Sequence, residues 1–308
     1  MANSPPQQSR SSTTSRYLRP ADLRRLRNVT FESRRHVEGQ LAGRHRSRQR
    51  GQSIEFNDYR QYIPGDPVGD IDWKVYGRSD KLFIKLYEHE SDLCVNLLVD
   101  ASASMNYGEA GATKYDHAAR LAASIAFLIT QQRDRISLAV AHQGLPQPPL
   151  PASSPRKMAG LLERLETTTP AGDAQLAIAV RDLGRIAPRR SVLILISDLL
   201  EDRDAIMREC AIWAARSCEV ILFHVLHAHE LDLPDVSSAL FIDAETEGRM
   251  RVQVDDIREA YAERMRTFLA DWSRSCRARG FDYNRVSTDD QPHGALERYL
   301  FRRSARQM

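Results

Sequence analysis

Paired cysteines, long apolar runs and glycine-rich phosphate loops are all missing from this chain. Its four cysteines, Cys94, Cys210, Cys218 and Cys276, are scattered, and no two form a C-x-x-C pair. That leaves no disulfide framework and points to a reducing compartment, where isolated cysteines act as small apolar residues. No apolar run approaches the roughly 18 residues that a membrane-spanning helix needs. The opening "MANSPPQQSRSSTTSR" lacks the apolar core of a secretory signal. A soluble, cytoplasmic protein is the expectation. Nucleotide binding has no support, since neither G-x-x-x-x-G-K-S/T nor G-x-G-x-x-G occurs. No G-x-S-x-G elbow surrounds a serine. His224, His227 and His229 lack metalloprotease spacing and partner cysteines, so packing or loop hydrogen bonding is their expected use.

What is present is ordinary in bulk and uneven in detail. The 308 residues suit one large domain or two modest ones, and 42% hydrophobic with 28% charged residues fits a globular chain. The net charge of +3 is too small to argue for nucleic acid. Arginines nevertheless crowd the first fifty positions, at Arg24-Arg25, Arg34-Arg35 and the alternating Arg44, Arg46, Arg48 and Arg50. A solvated leader is the plain interpretation; a tether for nucleic acid or another polyanion is the alternative. Residues 1–16, rich in Ser, Thr, Pro and Gln, cannot bury enough apolar surface to fold and are expected to be disordered.

Past the leader, "RPADLRRLRNV" reads as a short helix with Pro20 in its first turn. "IEFNDYRQYI" and "KLFIKLYEHE" alternate apolar and polar residues, as half-exposed strands do, and "IPGDPVGDIDW" between them reads as turn. From residue 92 the pattern becomes strand, helix, strand, helix. "LCVNLLVD", "RISLAVAH", "SVLILISD" and "EVILFHVL" are buried-type strands, while "LPQPPLPASSP" reads as a structural loop. Helices are predicted over "TKYDHAARLAASIAFLITQQ", "RKMAGLLERLE", "AQLAIAVRDLGRI", "AIMRECAIWAARS" and the long "DDIREAYAERMRTFLADWSRSCRARG". A hairpin insertion is predicted near 240–254, then a last strand in "FDYNRVS" and a last helix in "GALERYLFRR". Apolar strands alternating with helices imply a mostly parallel sheet covered on both faces.

One stretch carries chemistry. "LLVDASASMNYG" ends an apolar strand in Asp100 and follows it with Ser102 and Ser104; a second strand ends in Asp198. In open parallel sheets, ligands bind outside the carboxyl ends of the strands. Two hydroxyls, one or two carboxylates and water fill the shell of a hard cation such as Mg2+. The local alternative is that Asp100 and Ser102 cap the following turn.

"LVDASASM" resembles the metal-ion-dependent adhesion site of von Willebrand factor A domains. The wider block "EFNDYRQYIPGDPVGDIDWKVYGRSDKLFIKLYEHE", with Phe56, Arg60, Tyr62, Gly65, Asp66, Ile71, Asp72 and Trp73, is similar to the signature of domain-of-unknown-function family 58. "HELDLP", "DAETEG", "REAY" and "GFDYNRVST" extend the resemblance over residues 20–304. It implies a Rossmann-like von Willebrand A fold and partnership with MoxR-type AAA+ ATPases and other von Willebrand A-like proteins. It also implies an adaptor or chaperone-like role without catalysis. Asp100, Ser102 and Ser104 match the adhesion motif, and Asp198 its second acid. The motif's loop threonine does not carry over: its position holds Ala174, preceded by Asp173, which could supply an oxygen instead. Structural use is the first expectation for the signature block, with Trp73 as a core anchor and Arg60 paired to Asp66 or Asp72; a docking face for the ATPase is the second.

The expected architecture is thus a disordered leader over 1–16, a helix and β-rich element over 17–90, and the α/β domain over 91–304. Its expected function is a protein-interaction adaptor, with a metal-dependent hydrolase as the competing class.

Overall fold

The computed structural model describes residues 15–26, 29–31, 55–63, 71–79, 81–88, 93–242 and 248–305. The chain divides into two units, residues 1–37 with 93–308, and residues 38–92.

The larger unit begins with α1 (Pro20–Leu26). In the smaller unit come β1 (Glu55–Gln61), α2 (Trp73–Ser79) and β2 (Phe83–Glu88). The larger unit resumes with β3 (Cys94–Asp100), α3 (Lys114–Gln131), β4 (Arg135–Ala141), β5 (Leu150–Ala152) and α4 (Pro155–Thr167). It continues with α5 (Leu176–Ile186), β6 (Val192–Ser197), α6 (Arg203–Ala215), β7 (Glu219–Leu226) and the short α7 (Ala228–Leu231). The hairpin β8 (Ser238–Ile242) and β9 (Arg249–Gln253), α8 (Val254–Ala278), β10 (Asp282–Ser287) and α9 (Pro292–Ala305) complete it.

Six strands form one sheet in the order β10-β7-β6-β3-β4-β5, parallel except for β5. The central strands are apolar on both faces, as a doubly covered sheet requires. Val95, Leu97, Val99, Val192, Ile194 and Ile196 pack beneath α3, α4 and α9, while Leu98, Leu193 and Leu195 pack against α5, α6 and the end of α8. Asn96, the polar exception, donates its side-chain amide to the Val192 carbonyl at 3.3 Å. α3 starts in a capping box between Thr113 and Asp116. Ala118, Ala119, Ala122 and Ala126, all buried, let it lie close on the sheet. Gly184 serves a similar close approach: a Cβ there would meet the Trp213 ring nitrogen at 2.9 Å.

The expected class is the one found: an α/β domain with a mostly parallel sheet and helices on both faces, and a β-ribbon earlier in the chain. Three local expectations need correcting. The proline-rich stretch holds β5, antiparallel to β4 through Ile136, Ser137 and Leu138. It is an edge strand, where Pro151 sacrifices no interior ladder bond. Ser15 and Arg16, assigned to the disordered leader, are ordered: the Ser15 hydroxyl donates to Glu166 at 2.6 Å and Arg16 pairs with Asp116 at 2.7 Å. Residues 1–14 lie outside the described residues, as do the basic clusters at Arg34-Arg35 and Arg44–Arg50; Arg24 and Arg25 are exposed on α1.

The third correction falls in the smaller unit. There β1 and β2 pair antiparallel with a bulge between Phe56 and Asp58. Trp73, the last residue read as turn, opens α2, which Asp72 caps by accepting the Val75 N–H at 3.3 Å; residues 64–70 lie outside the described residues. Asp72 and Ile71 are buried, but Trp73 is 59% exposed and meets Tyr76 edge to face, so it is not a core anchor. Tyr62 donates its backbone N–H to Leu82 at 2.9 Å. Gly65, Asp66 and the side chain of Arg60 lie outside the described residues, and with them the expected Arg60 pairing. All four cysteines are free. Among the described residues no helix is long and apolar enough to cross a membrane.

Candidate metal centre

After β3 the chain builds β4 on one side, then returns through α4 and α5 to place β6 on the other. The carboxyl ends of β3 and β6 therefore flank the topological switch point, where the loops diverge and leave a crevice. Asp100 and Ser197 end these two strands, and Asp198 follows directly.

Asp100 is almost fully buried. Its Oδ1 accepts the Ser102 N–H at 2.7 Å, and its Oδ2 accepts the Ser197 hydroxyl at 2.6 Å. The same Ser197 oxygen accepts the Leu199 N–H at 2.8 Å. Leu199 stands at φ 54°, a left-handed conformation costly for leucine, and that bond helps to hold it there. Capping thus accounts for part of Asp100. It does not account for the serines. The Ser102 side chain makes no cap bond to the 3-10 turn Ala103–Asn106; its Oγ lies 3.0 Å from Ser104 Oγ.

The loop carrying Asp173 lies against the Asp100 loop. Ala103 N–H donates to Gly172 at 2.8 Å, and Ala171 N–H to Ala101 at 3.0 Å. Asp173 Oδ1 accepts the Gln175 N–H at 2.9 Å, and Ala174, in the threonine position, is wholly buried. Glu201, which the sequence did not single out, joins them by accepting the Leu176 N–H at 2.8 Å. Its other oxygen is buried and has no hydrogen-bond partner among the described residues.

Asp198 has a different neighbour from the one its place in the motif implies. The ammonium of Lys114, fully buried at the start of α3, sits 2.7 Å from Asp198 Oδ2 and 2.5 Å from Glu230 Oε1. Glu230 in turn accepts the His227 N–H at 2.8 Å. The histidines pack and cap: His224 is buried with Nδ1 2.7 Å from the Tyr283 hydroxyl, and His227 caps α7. Lys114, Ser197, Glu201 and Glu230 were not legible as site residues, because nothing local ties them to Asp100.

Electrostatics at the rim is lopsided. Asp198 and Glu230 share one buried cation, Lys114, while Asp100 feels the charge of Asp198, and Glu201 those of Asp173 and Asp100. Burial opposes the Lys114 charge, but Asp198 and Glu230 outweigh it and raise its pKa. Burial and then the Asp198 charge push Asp100 up to about 7, against the pull of its Ser197 and Ser102 hydrogen bonds. Burial pushes Glu201 up to about 8; the Leu176 N–H opposes this, and the charges of Asp173 and Asp100 add to it. Neighbouring carboxylates repel one another, and a cation placed between them relieves that repulsion while displacing their protons.

The donor set fits a hard divalent ion on one specific measure. Two ligands at about 2.1 Å in cis positions of an octahedron are about 3 Å apart. Ser102 Oγ and Ser104 Oγ have that separation. No three His, Cys, Asp or Glu side chains among the described residues are placed to hold a metal, so an ion here would depend on the hydroxyls. Ser102, Ser104 and Asp100 would hold it, with Asp173 nearby; Asp198 is already committed to Lys114.

The family model described as "Protein of unknown function DUF58" matches residues 58–270. An uncharacterized protein of Mycobacterium tuberculosis is 30% identical over 269 residues, which covers 86% of this chain and 84% of that protein. One from Mycobacterium avium is 31% identical over 145 residues, covering 46% of this chain and 85% of that protein. Among solved structures, an aerotolerance-related membrane protein of Bacteroides fragilis is similar over 67% of this chain and 95% of its own, with TM-score 0.45 and 15% identity. The von Willebrand A domain of SpRpn10 is similar over 43% of this chain and 75% of its own, with TM-score 0.35 and 15% identity.

Proposed function

The chain belongs to the DUF58 family, and on that premise we propose that it is a non-enzymatic adaptor whose sheet rim joins it to partner proteins through a divalent cation. Ser102, Ser104 and Asp100 bind a Mg2+-type ion, Asp173 takes the place of the missing threonine at longer range, and one coordination position is left for a partner's carboxylate. Asp198 acts indirectly, through the charge it shares with Lys114. The observation that carries this is the pair of serine hydroxyls, hydrogen-bonded to each other at 3.0 Å, beside the buried Asp100 carboxyl. When bound, the ion supplies attraction between two proteins and no chemistry. The partner is a MoxR-type AAA+ ATPase, with other von Willebrand A-like proteins, acting in assembly or maturation of client proteins. Exposed Trp73 and Tyr76 offer that ATPase an aromatic contact.

Capture of the tagged chain from its own cells tests the partnership. A hexameric-size ATPase should co-purify in Mg2+ and be lost in chelator, and lost in both conditions with Ser102→Ala/Ser104→Ala. ATPase capture that ignores both chelator and mutation would refute the metal bridge. Phosphoester turnover abolished by Asp100→Ala would replace the adaptor with a hydrolase.

A further inference from the structure

A cleft of about 260 Å³ opens beside β10, the edge strand of the large sheet, between the last turns of α8 and α9. It is remote from the rim in the sheet order and shares no residue with it. Asn284, from the middle of β10, lines this cleft and is only 7% exposed. Its Oδ1 accepts an N–H of Arg302 at 3.1 Å. That bond fixes the amide orientation, because the flipped amide would set two donors against each other. Nδ2 is therefore the group that Arg302 leaves without a partner. It is buried and has no acceptor among the described residues. An amide N–H2 left so is unfavourable, and an acceptor placed against it would remove that cost.

The surroundings are rich in donors. Arg277 from α8 and Arg302 from α9 line the same cleft, and among the described residues neither makes an ion pair. Arg303 is already matched: it pairs with Glu219 at 2.7 Å and Asp282 at 3.4 Å, and donates to the Tyr299 hydroxyl. Asp282, the acid of the cleft, is taken up by Arg303 and by the Tyr299 hydroxyl at 3.3 Å. A water would satisfy one N–H of Asn284 but leave the two guanidinium groups without an anionic partner. The complementary ligand is a group that only accepts.

We propose that this cleft binds a small oxyanion, a phosphate or carboxylate group, with Asn284 Nδ2 and the guanidinium groups of Arg302 and Arg277 donating to it. Isothermal titration of the full chain at low ionic strength, with inorganic phosphate and separately with acetate, tests it. Saturable one-to-one binding is expected. Tighter phosphate identifies a phosphoryl group as the natural ligand, and tighter acetate a carboxylate. Arg277→Ala, at an exposed position, should weaken binding about tenfold. Asn284→Asp keeps an oxygen for Arg302 but replaces the donor with a negative charge, and should abolish it. Arg181→Ala, an exposed arginine on α5 outside the cleft, should leave it unchanged. Binding of neither anion by the wild type, or equal loss from Arg277→Ala and Arg181→Ala, overturns the proposal.

Discussion

Replacing Lys114 by methionine should destabilise the larger unit by about 3–5 kcal/mol, the usual cost of leaving one partner of a buried ion pair without the other. Lys114 has no solvent exposure, and Asp198 has almost none. With the ammonium gone, Asp198 faces the buried Asp100 carboxyl across the switch point with no local cation. Glu230 is partly exposed, so its loss of a partner matters less. The double variant Lys114→Met/Asp198→Asn should recover most of the loss, since the uncompensated charge goes with the aspartate. Denaturant unfolding of both variants measures this. A loss below about 1 kcal/mol for the single variant would mean that the pair is solvated rather than buried. Added Mg2+ should stabilise Lys114→Met more than the wild type, because a second cation then has an emptier rim to fill.

The second large effect is on the pH dependence of stability. Asp100 and Glu201 have folded pKa values near 7 and 8, well above the 3.8 and 4.5 of ordinary carboxyls. Raised carboxyl pKa values mean that the folded chain holds protons that the unfolded chain has released. Their contribution is complete below about pH 4 and is lost as the pH rises through 7 to 8. His224 works in the opposite direction over another range. Burial holds it down to about 4 from 6.5, so it costs stability as the pH falls from 6.5 to 4. Between pH 6.5 and 8 only the carboxyl effect remains. In chelator, stability should fall across that window by on the order of 1 kcal/mol per pH unit. Asp100→Asn should flatten the slope and leave the variant more stable than the wild type at pH 8. Saturating Mg2+ should flatten it too, by favouring the charged carboxylates. A stability that rises from pH 6.5 to 8 in chelator would contradict the crowding of acids at the rim.

The elements that the sequence revealed are those whose hydrophobic period decides their structure. β6 is a continuous apolar run, β3 and β7 are broken only by Asn96 and His224, and α3 shows a clear apolar stripe, so each lies within a few residues of its reading. α2 was hidden because "WKVYGRS" has no apolar period and contains a glycine, and it is held by a cap on Asp72 instead. β5 was hidden by its prolines, which an edge strand tolerates. At the site the division is similar. Asp100, Ser102 and Ser104 share one short loop, so their proximity could be read from the chain. Asp198 was legible as a strand-terminal acid, but its partner Lys114 lies 84 residues away and is joined only by the packing of α3 on the sheet. Glu201 reaches the rim through the N–H of Leu176, a contact 25 residues long that no motif encodes.

The most direct measurement is calorimetric titration of Mg2+ into the chelator-treated chain and into Asp100→Ala at neutral pH. One saturable site in the wild type, with protons released on binding, and none in the folded variant is the expected result. No heat from the wild type, or an isotherm unaffected by the loss of Asp100, would contradict a cation site at the switch point.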